Sequence, residues 1–498
     1  MTQTAAGTQQ LASLNPATDE VIATYPVADD VGVAAVVAAA RAAAPWWTGL
    51  GYAGRKRAML RWAARLTERA DELSELIHQE NGKPVEDAYL ELVLTLEHIR
   101  WAAQHAVKVL RTRIVSPGLL MANHSATIER KPYGVVGVIG PWNYPIFTPN
   151  GSIAYALAAG NTVVFKPSEY TPAIGHFLAD TFAEANPEAP AGVFSVITGY
   201  GETGAALCRS GVDKLAFTGS AATGRKVMAG CAQTLTPVLM ECGGKDAFIV
   251  ADDANVRAAA QAAAWGAVSN SGQTCVGVER VYVTRGVRDE FLAELRKVLD
   301  GIGPGSDNGA AYGPMTMPGQ VDVVRRHIAD ALEHGGTALV GGPESVRPPY
   351  VDPVVLVDVD EDSAAVREET FGPTLTVRTV SDVDEAVRLA NDTTYGLAST
   401  VFSRRHGAEI AKRIDAGLSS VNSVIGFAAV SALPFGGHGD SGFGRIHGAD
   451  GLREFTRTHS ISRQRFAIPG LTLMKFRRNR LGVALIRKVI KLRHGRAR

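Results

Sequence analysis

From Gly134 onward the chain repeats one rhythm: a short unbroken run of β-forming residues, a turn, then a segment of helical composition. The first four runs are Val135-Val136-Gly137-Val138-Ile139, Thr162-Val163-Val164-Phe165, Val193-Phe194-Ser195-Val196-Ile197 and Leu215-Ala216-Phe217-Thr218. Strands that are apolar throughout are covered on both faces, and strands separated by helices pair in parallel. Such sheets bind ligands beyond the carboxyl ends of their strands. The turns that follow the runs therefore matter most: Pro141-Trp142-Asn143-Tyr144-Pro145, Lys166-Pro167-Ser168-Glu169 and Thr218-Gly219-Ser220.

Helical sequence precedes this region. Asp30 to Ala44 is rich in Ala and Val, and Met59, Ala63, Leu66, Ala70, Leu73 and Ile77 recur at one helical face until Asn81-Gly82-Lys83-Pro84 stops them. A further helix is expected from Glu86 to Leu110, with Leu90, Leu94, His98, Trp101 and His105 along one side; the two histidines read as ordinary packed or solvated residues. A second βα stretch begins near Pro237 and continues to about Ser431. At 498 residues, with 46% apolar and 20% charged, the chain is globular and too long for one core. Met1 to Leu14 reads as a frayed tail without a signal peptide. Four cysteines, none in CxxC spacing, suit a reducing compartment, the cytosol.

Each turn offers chemistry beside a plainer alternative. Cys275 follows Gly272-Gln273-Thr274, so its thiol stands at the mouth of a strand rather than inside an apolar run, as a nucleophile requires. Lys166 is either a surface charge or, with Glu169, a pair that holds the hydroxyls of a ribose; the carboxylate would repel a 2′-phosphate, favouring NAD over NADP. Gly219-Ser220-Ala221-Ala222-Thr223-Gly224 is not the GxGxxG fingerprint. It is either a pyrophosphate-binding helix start or a simple Ser220 N-cap. Glu241, at a strand end before Cys242-Gly243-Gly244-Lys245, is either a buried base or a structural partner of Lys245. Asn143 could donate to an oxyanion, as could the Cys275 N–H, or be a turn residue before Pro145.

Together Pro141-Trp142-Asn143-Tyr144-Pro145, Lys166-Pro167-Ser168-Glu169, Phe217-Thr218-Gly219-Ser220, Glu241-Cys242-Gly243-Gly244-Lys245, Gly272-Gln273-Thr274-Cys275, Glu368-Glu369-Thr370-Phe371-Gly372-Pro373 and Pro434-Phe435-Gly436-Gly437 resemble the aldehyde dehydrogenase superfamily, in order from about Asn15 to Ser460. The resemblance implies Cys275 as nucleophile, Glu241 as general base and Asn143 in the oxyanion hole. It places Lys166, Ser168, Glu169, Gly219, Ser220 and Glu369 around the cofactor, with Trp142 and Phe371 lining its cleft, and no metal. The implied fold is α/β: a Rossmann-like NAD-binding domain (1–120 and 134–240), an α/β catalytic domain (241–431), and a small oligomerisation sheet from 121–133 and 455–465 that would build a homodimer or homotetramer. Three positions depart from the family pattern: Cys242 reads as a small apolar filler, Arg457 stands where many members have glutamate, and His438 replaces a lysine.

Members that oxidise succinic semialdehyde place arginines where this chain has Gly151 and Ser269. With Tyr144, Phe147 and Trp265 close in sequence, and Val424, Ile425, Gly426 and Phe427 as further candidate lining, an apolar or aromatic aldehyde fits better. A CoA-acylating dehydrogenase is the alternative that Glu241 opposes. A cysteine hydrolase would leave the nucleotide-type turns unexplained, and a silent binding protein would leave Cys275, Glu241 and Asn143 without purpose. Net charge is near zero, and no nucleic-acid partner is expected. Residues 475–498, however, hold ten Lys+Arg and no acid, leaving 41 basic against 50 acidic residues elsewhere, a net of −9. Leu481, Leu485, Val489 and Leu492 recur there at helical spacing. Such a basic amphipathic segment suits peripheral contact with a membrane or packing across a partner subunit.

Overall fold

The structure is a computed structural model and describes residues 9–307, 309–467, 476 and 479–495. Two compact units divide the chain: residues 1–109 with 132–456, and residues 110–131 with 457–498.

The larger unit contains two mostly parallel sheets. The first has the strand order Gly442–Phe443, Val238–Cys242, Lys214–Gly219, Val135–Ile139, Thr162–Lys166, Phe194–Val196, parallel except for its first edge strand. From Val135–Ile139 the chain builds outward to Phe194–Val196, then returns to lay Lys214–Gly219 on the other side. That reversal opens a crevice beyond the carboxyl ends of the central strands. Strand register aligns the turns along it: Ile139 pairs with Lys166 and Phe217, and Gly219 with Cys242. The strand Val238–Cys242 closes this first sheet rather than opening the second βα stretch near Pro237, so a domain boundary at 241 would fall inside a strand.

The second sheet runs Thr337–Val340, Val354–Val357, Thr374–Val380, Arg280–Thr284, Ala247–Val250, Ala398–Phe402, Leu418–Val421. Only Gly243 to Asp246 separate the carboxyl end of Val238–Cys242 from the amino end of Ala247–Val250. The chemistry-bearing residues of this half, Cys275, Glu279 and Glu369, accordingly precede their strands instead of following them. One sheet offers its carboxyl edge and the other its amino edge to the same seam.

Four long helices lead into the first sheet: Asp30–Gly49, Gly51–Glu68, Ala70–Asn81 and Val85–Leu110. The first is long and apolar enough to cross a membrane. Its Val33, Val37, Ala40, Ala43 and Trp47 are instead buried, and the helix packs on the sheet. The expected single helix through Met59 and Ile77 is two, broken at Arg69. Both pieces pack on the helix Pro172–Ala185, which is why the apolar spacing runs unbroken across the joint. In Val85–Leu110 the buried stripe is Ala88, Leu92, Ile99 and Ala102, while Leu90 is exposed. His105 stacks on Trp101, and His98 is buried.

Not all of Met1 to Leu14 is a frayed tail. Gln10–Leu14 pairs antiparallel with Val21–Pro26, and Leu11 and Ser13 are buried. Ser13 Oγ donates to the buried Glu80 carboxylate, which also accepts from Ala173 N (2.8 Å) and Ile174 N (2.9 Å). A polar residue that satisfies a buried carboxylate is invisible to hydrophobic patterning.

The smaller unit carries a three-stranded sheet in the order Thr456–Gln464, His124–Pro132, Arg113–Val115, followed by the helix Arg480–His494. The expected strands at 121–133 and 455–465 are thus present, with a third strand beside them. Part of the basic tail, 475, 477–478 and 496–498, lies outside the described residues.

Burial pushes the Glu80 carboxyl up to about 7. The unfolded chain releases this proton near the ordinary carboxylate value while the folded chain keeps it, so stability falls as pH rises between the two values and levels off above about 7. Glu80→Gln cannot titrate. Urea denaturation from pH 5 to 8 should show a flatter pH dependence in that variant than in the parent, together with a lower stability at every pH, because the new amide NH₂ faces an N–H donor.

Candidate active site

The cysteine loop is built from backbone that few residues tolerate. Asn270, Ser271 and Gly272 are consecutively left-handed (φ 53°, 57° and 69°), and a Cβ at Gly272 would collide with the Gly372 carbonyl. Left-handed non-glycine residues each cost on the order of 1–3 kcal/mol unless neighbours hold them. Here Asn270 Nδ2 donates to Asn143 O (3.0 Å), Ser271 Oγ to Gly313 O (2.7 Å), and Gln273 Oε1 accepts from Thr316 N (2.9 Å). The turn delivers Cys275 half-buried. Burial, followed by the carboxylates Glu369, Asp246 and Glu241, raises its thiol pKa, against a hydrogen bond from Val276 N–H.

Asn143 is buried and packs against this loop. Its Nδ2 donates to Gln273 O at 2.8 Å, and an amide nitrogen has a second proton to give. The turn around it is fixed by two residues that the sequence reading passed over. Lys83 and Glu91 form a buried ion pair at 2.6 Å. Lys83 Nζ also donates to Asn143 O (2.9 Å) and lies over the Tyr144 ring at 4.2 Å, and Glu91 Oε1 accepts from Ile146 N (2.9 Å) and Phe147 N (3.0 Å). The signal was available: Glu91 is an acid next to the buried stripe of a helix, and Lys83 a charge in a turn between apolar segments.

Glu241 ends its strand 3% exposed, and neither carboxyl oxygen has a hydrogen-bond partner. It is not paired with Lys245. That ammonium is bound to Glu279, whose carboxylate also accepts from Thr370 N and Phe371 N (each 3.1 Å to Oε1). Arg445, the nearest compensating charge, donates to Gly437 O (2.8 Å) and Gly444 O (2.6 Å) instead. Burial drives the Glu241 pKa well above the carboxylate range; Arg445 opposes the shift and Glu454 adds to it. Glu454 in turn pairs with Lys214 at 2.7 Å. Arg457 is exposed. Cys242 packs in the first sheet's apolar core with its thiol raised to about 12, as a filler would.

Cofactor candidates line the crevice edge. Lys166 is buried, donates to Pro167 O (3.1 Å) and lies 3.9 Å from Glu169; burial lowers its pKa. Ser168 Oγ sits 3.5 Å from Glu169 Oε2. Ser220 caps the helix Ala221–Ala232, accepting from Thr223 N at 3.3 Å, and follows Gly219, where a Cβ would lie 2.7 Å from the Phe217 ring. Glu369 lies directly against Gly243, so a side chain there would displace its carboxyl group; its Oε1 is buried without a partner and burial raises its pKa to about 8. Phe371, left-handed at φ 53° because its N–H and that of Thr370 converge on Glu279, meets Trp142 edge-on at 5.5 Å. A buried cation, an orphaned carboxyl oxygen and a Ser220-capped helix start thus line this edge.

Among the candidate substrate-lining residues, Tyr144 OH bonds Thr274 Oγ1 at 2.9 Å, Phe427 is buried, and Trp265 is 52% exposed. At Gly151 a Cβ would lie 2.7 Å from His447 Nε2 and 2.8 Å from Ile446 Cδ1. His447, left-handed and buried, meets His98 at a tilt with ring centroids 3.8 Å apart, amid Phe147, Tyr155 and Phe435. Burial takes the His98 pKa down to about 4 and that of His447 well below its ordinary value, so this wall is uncharged.

A thiol on a strained loop, a partnerless buried carboxyl and a crevice at the carboxyl edge of a parallel sheet share one seam, the arrangement of a cofactor-linked oxidoreductase. The chain belongs to the aldehyde dehydrogenase family, whose model matches residues 3–461. It is similar to 4,4'-diapolycopene aldehyde oxidase of Methylomonas sp., 38% identical over 92% of this chain and 87% of the relative. Among solved structures it is similar to lactaldehyde dehydrogenase from Escherichia coli (TM-score 0.87, 32% identity, 92% of this chain and 96% of that one). It is also similar to an indole-3-acetaldehyde dehydrogenase complexed with NAD+ (TM-score 0.87, 30% identity, covering 92% and 94%). The protein is therefore an NAD(P)-dependent enzyme that oxidises an aldehyde.

A Cβ at Gly436 would lie 2.6 Å from Glu241 Oε1. Gly436→Ala should therefore crowd the carboxyl and, because φ there is 148°, strain the loop. The expected outcome is a fall in kcat of about tenfold or more, roughly 1.4 kcal/mol of barrier, with cofactor affinity by fluorescence titration little changed.

Proposed function

We propose that the enzyme converts an apolar or aromatic aldehyde to its carboxylic acid with NAD as acceptor, through a covalent intermediate on Cys275. The observation that carries this reading is Glu241, a buried carboxyl without a partner beside the cysteine seam, while Lys245 and Arg445 are engaged elsewhere. Such a group takes a proton readily once ionised. Cys275, once it has lost its S–H proton to solvent, adds through sulfur to the aldehyde carbon, and the oxygen that gains charge meets the spare Asn143 Nδ2 proton and the Cys275 N–H. Bound NAD supplies the acceptor for the hydride that leaves this carbon. Glu241 then accepts a proton from water as the water oxygen bonds the acyl carbon and the C–S bond breaks, and passes that proton to the departing sulfur, freeing the acid and the thiol.

Lys166 and Glu169 would hold one ribose and Glu369 the other, with Ser168, Gly219 and Ser220 at the pyrophosphate and Trp142 and Phe371 along the cleft. The Glu169 carboxylate supports NAD rather than NADP. The uncharged wall of His447 and Ile446 behind Gly151 supports an apolar substrate over a semialdehyde acid. In this reading the enzyme works in the cytosol, and the three-stranded sheet of the smaller unit joins a homodimer or homotetramer.

Cys275→Ala should abolish NADH formation while NAD binding by calorimetry persists; retained turnover would refute the mechanism. Glu241→Gln should give a single burst of NADH equal to the enzyme concentration and then slow by about 10²-fold or more, with free acid rather than acyl-CoA as the parent's product.

Because burial raises both the Cys275 and the Glu241 pKa, the reactive ionised forms grow with pH. The parent's kcat/KM should rise from pH 6 to 9 across a panel of short, long and aromatic aldehydes.

A further inference from the structure

We propose that the helix Arg480–His494 docks the protein on an anionic lipid surface. This goes beyond the dehydrogenase chemistry and does not depend on it. The helix is locally well specified: Asn479 Oδ1 caps it by accepting from Leu481 N at 3.0 Å, and Lys491, Arg493 and His494 sit in its last turn, where positive charge suits the dipole.

At helical spacing Leu481, Leu485, Val489 and Leu492 share one side, with Ile486, Ile490 and Val483 continuing the apolar arc. Arg480, Arg487 and Lys491 cluster opposite, Lys488 borders the arc, and Arg493 interrupts it at the last turn. None of these side chains is buried: Leu481 is 80% exposed, Leu492 74% and Leu485 50%.

Charge complementarity selects the occupant. No Asp or Glu follows Glu454, and the last 44 residues hold thirteen Lys+Arg. The core of a protein interface is enriched in aromatic residues and depleted of charge, whereas this face holds no Phe, Tyr or Trp and carries Arg493 within it. An interfacial helix favours long basic side chains there, because their stems lie along the hydrocarbon while their charges reach the headgroups. Fifteen residues span about 22 Å, short of the roughly 30 Å of a bilayer core, so the helix lies in the surface and does not cross it.

The test is sedimentation of the full-length enzyme with vesicles of phosphatidylcholine plus phosphatidylglycerol, and of phosphatidylcholine alone. The expected result is partition onto the anionic vesicles only, weakened by added salt. It should fall about tenfold or more in Leu481→Ser/Leu485→Ser/Leu492→Ser and likewise in Arg487→Ser/Lys488→Ser/Lys491→Ser. Turnover of a water-soluble aldehyde should be unchanged in both variants, which establishes that they are folded. Absence of binding by the parent, or equal binding by the variants, overturns the proposal. So does unaltered vesicle binding with a smaller assembly on size exclusion for the leucine variant, which would assign the face to a second copy of the chain.

Discussion

The site depends on an ion pair that touches no part of the reaction. Lys83 and Glu91, buried together, hold four backbone or ring groups of the turn from Asn143 to Phe147 between them. Isolated buried charges cost several kcal/mol each, so a pair persists only when further hydrogen bonds complete it. Here the completing partners are the backbone of the very turn that aims Asn143. Removing either residue would leave an uncompensated charge and cost roughly 3–5 kcal/mol. Desolvation thus makes the position of an uncharged amide as rigid as the core.

The same logic, inverted, governs Glu241. Cations lie close by, but Lys245 is committed to Glu279 and Arg445 to carbonyl oxygens. A carboxyl left out of this pairing has its pKa driven well above the carboxylate range by burial, with neither oxygen satisfied. Glu369 and Asp246 nearby are raised by burial too, and burial first, then these carboxyl groups, pushes the Cys275 thiol up.

Much of this was legible in the sequence, and unevenly so. The parallel sheet follows from unbroken apolar runs at Val135, Thr162 and Leu215, and the turns after them do share one crevice, because parallel register forces Lys166, Gly219 and Cys242 to the same edge. The second sheet's contribution was harder to see. Cys275, Glu279 and Glu369 stand before their strands, and only the four-residue link from Gly243 to Asp246 explains why. Periodicity merged two helices across Arg69 because both face one neighbour, and it missed Gln10–Leu14, which is secured partly by a serine on a buried carboxylate. The pairing of Lys83 with Glu91, and of Lys245 with Glu279 rather than Glu241, is a matter of three-dimensional distance that spacing along a chain does not carry.

Gly151 shows how packing restricts the enzyme's history as well as its chemistry. The space a side chain would need there is already filled by His447, itself held in a left-handed conformation and packed against His98. An arginine for an acidic substrate could not be gained at 151 by one substitution, since His447 would have to yield first, and His447 cannot shrink without opening a void among Phe147, Tyr155 and Phe435. An arginine at position 151 is therefore reached only by a route of at least two coupled steps, whose first step alone carries a loss.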